Sequence, residues 1–140
     1  MRDGFVKVAA ATLNTKVADV EHNKWEIFRL IDETIENGAK IVVFPELCIT
    51  GYTCGDLFSQ DILLSQSAKA LEEIAAYTTG KDGLFFVGLP YVVCNKLYNV
   101  AAAVCDGEVI GMVTKTFLPN YSEFYEMRQF QPGPKKADWI

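Results

Sequence analysis

The 140-residue sequence is half hydrophobic and carries 13 Lys and Arg against 18 Asp and Glu, a net charge of −5. That length and apolar content support one domain with a real core. The acidic balance, with Lys135-Lys136 as the sole basic doublet, argues against a nucleic-acid or anionic-membrane partner, and no apolar run approaches the roughly 18 residues of a membrane span.

The four cysteines, Cys48, Cys54, Cys94 and Cys105, show neither CxxC nor Cys/His metal spacing, so no metal is expected. With no secretory pattern ahead of them, they point to a reduced, cytoplasmic protein. Cysteine connectivity stays open, since pairing cannot be deduced from sequence.

Phe5 to Leu13 alternates loosely, is small and apolar, and predicts a central strand. From about Asp19 the period becomes helical, with Val20, Ile27, Ile31 and Ile35 on one stripe widened by Phe28 and Leu30. Asp19 is the expected N-cap, and Asn37-Gly38 the expected stop. Ala39 to Phe44 returns to strand, giving a strand-helix-strand unit with a right-handed parallel crossover.

Gln60 to Thr79 predicts a second crossover helix with Leu64, Ala68, Leu71 and Ala75 at helical spacing beside Ile74, closed by Gly80. Leu84 to Leu89 reads as a buried strand ended by Pro90. Leu97 to Cys105 and Glu108 to Lys115 are joined by Asp106-Gly107, a strong hairpin signal. The expected class is therefore α/β, with a mixed sheet. From Thr116 to Gly133 a structured aromatic and charged loop follows, with one helical turn at Glu123 to Arg128. Trp139-Ile140 reads as a strand beginning.

The stretch Ile41 to Phe58 carries the most unusual chemistry, because Glu46 follows a buried strand at once. An ionised carboxylate taken out of water is costly unless paired or shifted in pKa, and a shifted carboxylate suits a general base. The competing reading is a rim carboxylate capping the next turn. Lys115 likewise ends a strand where a loop starts, either as a site residue at the carboxyl end of the sheet or as a snorkelling edge lysine. In the aromatic loop, Glu123, Glu126 and Arg128 have no spacing that gives a simple helical ion pair. Tyr52 and Tyr121 can offer hydroxyls to a polar substrate or serve as packing with a wet tip. Cys48 and Cys54 adjoin Glu46, but loop or core packing explains them better. His22, the only histidine, is remote from every cysteine, and no glycine-rich nucleotide fingerprint occurs.

The strings Val43-Phe44-Pro45-Glu46-Leu47-Cys48 with Thr50-Gly51-Tyr52, and Lys115-Thr116-Phe117-Leu118-Pro119-Asn120-Tyr121, resemble the nitrilase or carbon–nitrogen hydrolase superfamily. The longer string Leu118 to Gly133, LPNYSEFYEMRQFQPG, and Cys54 to Phe58 are similar to the glutaminase domains of the glutamine-dependent NAD synthetase family. The resemblance implies a four-layer α-β-β-α sandwich, of which residues 1–140 form a part, and a Glu-Lys-Cys triad. It makes Glu46 the general base and Lys115 the cation facing the tetrahedral oxyanion. It assigns Glu123, eight positions after Lys115, to orienting the lysine and the substrate, and places Tyr52 and Tyr121 near a glutamine pocket.

The same resemblance implies a nucleophile in a CEDxW motif downstream of LPNY, and none of the four cysteines fits it. The expectation is thus a fragment with two members of a triad, inactive alone. It implies glutamine as substrate, a homo-oligomeric parent, and a separate synthetase domain that uses ATP and Mg2+ to make NAD from deamido-NAD, with no cofactor in this chain. The alternatives are a free-standing amidase of the same superfamily acting on another small amide, and a non-catalytic interaction module of the same fold.

Overall fold

A computed structural model describes residues 4–134. The strand expected at Trp139-Ile140 and the Lys135-Lys136 doublet lie outside the described residues. The elements are β1 (Val8–Ala10), α1 (Val20–Glu36), β2 (Ile41–Val43), a 3-10 turn (Gly55–Ser59), α2 (Asp61–Tyr77), β3 (Leu84–Val93), β4 (Lys96–Cys105), β5 (Glu108–Thr114) and a second 3-10 turn (Glu126–Arg128). The strands form one sheet in the order β1-β2-β3-β4-β5. β1, β2 and β3 run parallel through the crossover helices, and β3, β4 and β5 form an antiparallel meander. The mixed α/β class expected from sequence is the one observed.

Local chemistry accounts for the element ends. Asp19 caps α1 by accepting from the His22 backbone N–H at 3.0 Å, and Gly38 ends it at φ 79°. Asp106 (φ 46°) and Gly107 (φ 89°) make the tight β4–β5 turn, which Gly80 N–H and the Thr78 hydroxyl oxygen pin to the end of α2. A second two-residue hairpin, at Cys94 and Asn95, also has both residues at positive φ. Its Cys-Asn sequence lacks the glycine that made the other turn readable.

Three expectations change. β1 is the edge strand of the described sheet rather than a central one, and it pairs only from Val8 to Ala10, because β2 offers only three residues before Pro45 stops it. The buried stripe of α2 runs through Leu63, Ser67, Ala70, Leu71 and Ile74 rather than Leu64 and Ala68, because Ser67 is fully buried where the sequence reads polar. β3 passes through Pro90 to Val93. The carbonyl of Gly88 accepts from Ile49 N–H, away from β4, and Pro90 has the same parity as Gly88. Its missing N–H therefore falls on the side that makes no β4 ladder bond.

Alternation divides the sheet. Val42, Phe85, Val87, Leu89, Val100, Ala102 and Val104 point to the helices and are buried, in a core with Ile27, Ile31, Leu71 and Ile74. The opposite face carries Val8, Val43 and Val113, which are 66%, 49% and 71% exposed. An apolar stripe this wide drives association. The 140-residue chain is accordingly expected to self-associate with rising concentration in light scattering, and V43K/V113K to shift it toward monomer. Monomeric wild type at high concentration contradicts this.

Candidate active site

Where β2 ends, Phe44 N–H still bonds Phe86 O at 2.9 Å, and Pro45 then turns the chain. The next residues fold back as an elbow: Cys48 N–H reaches Pro45 O, Gly51 N–H reaches Leu47 O, and Leu47 adopts φ 50°. A positive φ at a fully buried leucine is a strained conformation held by its surroundings.

The elbow lies directly on β3 at Gly88. A Cβ there would stand 2.4 Å from Leu47 N and 2.8 Å from Pro45 O, so only glycine permits the approach. Ile49 N–H bonds Gly88 O at 3.1 Å, and the Cys48 sulfur lies 3.3 Å from Gly88 N. This clamp aims Glu46 across the ends of β4 and β5.

Lys115 follows β5. Its N–H bonds Asn99 O at 2.8 Å, and its carbonyl accepts from Gly133 N–H at 2.9 Å, fixing the backbone from both sides. Its ammonium donates to Glu46 Oε1 at 2.7 Å and to Glu126 Oε1 at 3.0 Å. Tyr52 OH donates to Glu126 Oε1 at 2.6 Å, and Asn99 Nδ2 donates to Glu46 Oε1. Partial burial alone would lower the Lys115 pKa. The hydrogen bonds and charges of Glu46 and Glu126 outweigh it and hold the group above the ordinary lysine value. Burial first, and then the Glu126 hydrogen bond, push the Tyr52 hydroxyl well above its usual range, so it stays a donor.

The glutamate that reaches Lys115 is Glu126, three residues beyond the one assigned by resemblance. Glu126 is 6% exposed, with Oε2 buried and, among the described residues, unpartnered. Glu123 is exposed and makes no recorded side-chain hydrogen bond; it lies on the rim of a neighbouring cavity of ≈ 390 Å³ with Tyr52 and Glu126. The chain from Tyr121 to Arg128 is an open loop closed by a short 3-10 turn, so spacing on a helix could not choose between the two. Phe130 packing edge-on against Phe58 at 5.0 Å, and Arg128 bonding Asp56 at 3.0 Å, seat that turn. Tyr121 is exposed, its ring edge-on to Phe124 at 5.8 Å, and it has no recorded bond to Glu46 or Lys115.

Asn99 is the other residue that sequence reading passed over, and only its place opposite the elbow gives it a role. The Glu46 carboxylate is partly exposed and bonds side chains of β4 and the Lys115 loop. Those partners, rather than the backbone of its own turn, hold it. Glu46, Lys115 and Asn99 border a groove of ≈ 300 Å³ on the open sheet face, whose apolar wall includes Val43, Phe86 and Val113.

The described cysteines are all free and none lines this groove. Burial pushes the Cys48 thiol up to about 12, and Cys54, also raised by burial, donates to Thr50 O at 3.1 Å. Cys94 sits at a hairpin tip. Cys105 is six residues along β4 from Asn99, about 20 Å at strand rise.

A strand-end carboxylate bridged to a lysine, itself braced by a second carboxylate, suits acyl-transfer chemistry that needs a base and a fixed cation. The carbon–nitrogen hydrolase family profile matches residues 7–138, and the chain belongs to that family. Among individual proteins it is similar to the glutamine-dependent NAD(+) synthetase of Aquifex aeolicus, 43% identical over 129 residues, which are 92% of this chain and 22% of that protein. It is also similar to the Mycobacterium tuberculosis enzyme of the same name, 37% identical over 93% of this chain and 19% of that one. The chain thus spans about a fifth of these relatives' length.

The glutamine-dependent NAD(+) synthetase structure from Cytophaga hutchinsonii superposes with a TM-score of 0.89 at 35% identity, over 94% of this chain and 22% of that one. An amidase from Nesterenkonia sp. shares the fold at 21% identity and TM-score 0.79, over 99% of this chain and 53% of that one.

Two outcomes test the geometry. Lys115→Met leaves the buried Glu126 charge without its cation and is expected to cost about 3 kcal/mol in urea unfolding at neutral pH, partly recovered in Lys115→Met/Glu126→Gln. The folded pKa of Lys115 is raised, so its contribution is complete below the unfolded lysine pKa and lost as pH rises through the folded one. The gap between wild type and Lys115→Met should therefore hold at neutral pH and shrink only in the alkaline range. Gly88→Ala, with a backbone clash no rotamer relieves, is expected to cost about 2 kcal/mol or more; an unchanged melting curve contradicts the elbow clamp.

Proposed function

We propose that this chain supplies the base and the cation of a thiol-dependent glutaminase whose ammonia serves ATP-dependent conversion of deamido-NAD to NAD. The observation that carries the reading is the bridge of Lys115 between Glu46 and Glu126 at the edge of the groove. The identity to glutamine-dependent NAD(+) synthetases over nearly all of this chain supports the substrate.

In this reading a cysteine outside the described residues is the nucleophile. Glu46 Oε2, the oxygen that accepts from neither Asn99 nor Lys115, takes the thiol proton. The thiolate attacks the side-chain amide carbon of glutamine, and the carbonyl electrons move onto an oxyanion facing the Lys115 ammonium. The C–N bond then breaks, Glu46 returns its proton to the leaving nitrogen, and ammonia departs from a thioester. Water gives a proton to the same carboxylate and attacks; the C–S bond breaks, and glutamate and thiol are regenerated. Lys115 remains an ammonium throughout, consistent with its raised pKa.

Glu126 braces the lysine, and Tyr52 braces Glu126. Tyr121 and Glu123, both exposed, are left for parts of glutamine beyond its amide. The 140-residue chain alone is inactive in this reading. ATP and Mg2+ belong to a synthetase domain, and the enzyme is a cytoplasmic homo-oligomer. The amidase-like fold supports a second reading, a free-standing amidase on another small amide, but at lower identity.

The test is ammonia release by the full-length gene product from glutamine and from simple aliphatic amides. Glu46→Gln and Lys115→Ala should each reduce kcat by about 100-fold or more, with glutamine the preferred amide. Full turnover in Glu46→Gln sinks the base assignment, and preference for aliphatic amides favours the second reading. Turnover by the isolated 140 residues refutes an external nucleophile.

A further inference from the structure

Asn99 is the fourth residue of β4, between Tyr98 and the run Val100 to Val104, and is 3% exposed. A buried amide in such surroundings costs free energy unless its hydrogen bonds are made. Packing does not ask for it, since Val100, Ala102 and Val104 fill the core from this strand.

Its bonds go to both members of the proposed catalytic pair. The side-chain Nδ2 donates to Glu46 Oε1; the amide's orientation follows from chemistry, because an ionised carboxylate only accepts. Its backbone carbonyl accepts from Lys115 N–H at 2.8 Å. One residue therefore holds the head of Glu46 and the backbone of Lys115. Asn99 and Lys115 also fall on the same oxygen, Oε1, so both donors saturate one side of the carboxylate and leave Oε2 for the substrate side.

We infer that Asn99 is a positioning residue for amide hydrolysis: it turns the Glu46 carboxylate so that Oε2 alone faces the reacting thiol, and it keeps that carboxylate in register with Lys115. The inference rests on Glu46 being the base. Through Asn99, that role depends on the register of β4 against β5, not on the elbow alone.

The experiment uses the full-length gene product with Asn99→Leu and Asn99→Asp, both close to asparagine in size, beside Glu46→Gln. Steady-state glutamine hydrolysis is followed from acid to neutral pH, with melting curves for each protein. The expected result is a fall in kcat of about 10-fold or more with KM nearly unchanged. The acid limb of the kcat profile should move to higher pH in both variants, further in Asn99→Asp, where a like charge faces Glu46. If Asn99→Leu fails to fold, Asn99→Asp carries the test.

A lowered melting temperature with an unmoved acid limb and unchanged kcat shows a purely structural asparagine and overturns the inference while leaving Glu46 as base. Full activity in Glu46→Gln overturns the base assignment, and this inference with it.

Discussion

A single ammonium held between two carboxylate oxygens organises the carboxyl end of this sheet. Lys115 lies within 2.7 Å of Glu46 and 3.0 Å of Glu126, and those glutamates come from segments eighty residues apart in sequence. Glu126 is buried and has a second oxygen with no partner among the described residues. An uncompensated charge there would be expensive, so the loop after β5 can close only where Lys115 and Tyr52 meet it. The partly exposed Glu46–Lys115 contact contributes less to stability, because solvent screens it; its value lies in placement.

The rest of the fold sets up that contact. Pro45 stops β2, and the chain folds back over Gly88, where no side chain obstructs it. The two hairpin turns lay β4 beside β3 and β5 beside β4, so that Asn99 on β4 and Lys115 just past the end of β5 arrive together at the elbow. Helices α1 and α2 cover the far face of the sheet, leaving the groove to open on the face with Val43 and Val113. An apolar wall beside a fixed lysine is the setting in which a developing negative charge is stabilised most strongly.

Glu46 and Lys115 stood out in the sequence as charges at strand ends, each with a competing structural reading, and it was the family resemblance that joined them; the structure brings the two side chains into contact. The caps of α1 and the Asp106-Gly107 turn were legible for local reasons. Glu126 was not, because a loop without helical or strand period gives no rule for which of its acids turns inward; Glu123, nearer in sequence, is the one left in solvent. Asn99 was hidden inside a strand, where only the register of β4 against the elbow reveals its partner. Pro90 and Ser67 each belong to a class that usually ends or avoids a buried element: the register puts the missing N–H of Pro90 where no ladder bond forms, whereas Ser67 is buried with its hydroxyl unpartnered among the described residues.

In the function proposed here, Glu46 and Lys115 serve a thiol that none of the four described cysteines provides. Reacting the full-length gene product with an electrophilic glutamine analogue, then mapping the modified peptide by mass spectrometry, tests it most directly. One modified cysteine is expected, distinct from Cys48, Cys54, Cys94 and Cys105, with labelling slowed strongly in Glu46→Gln. Labelling of any of those four at the wild-type rate, or labelling indifferent to Glu46, would contradict it.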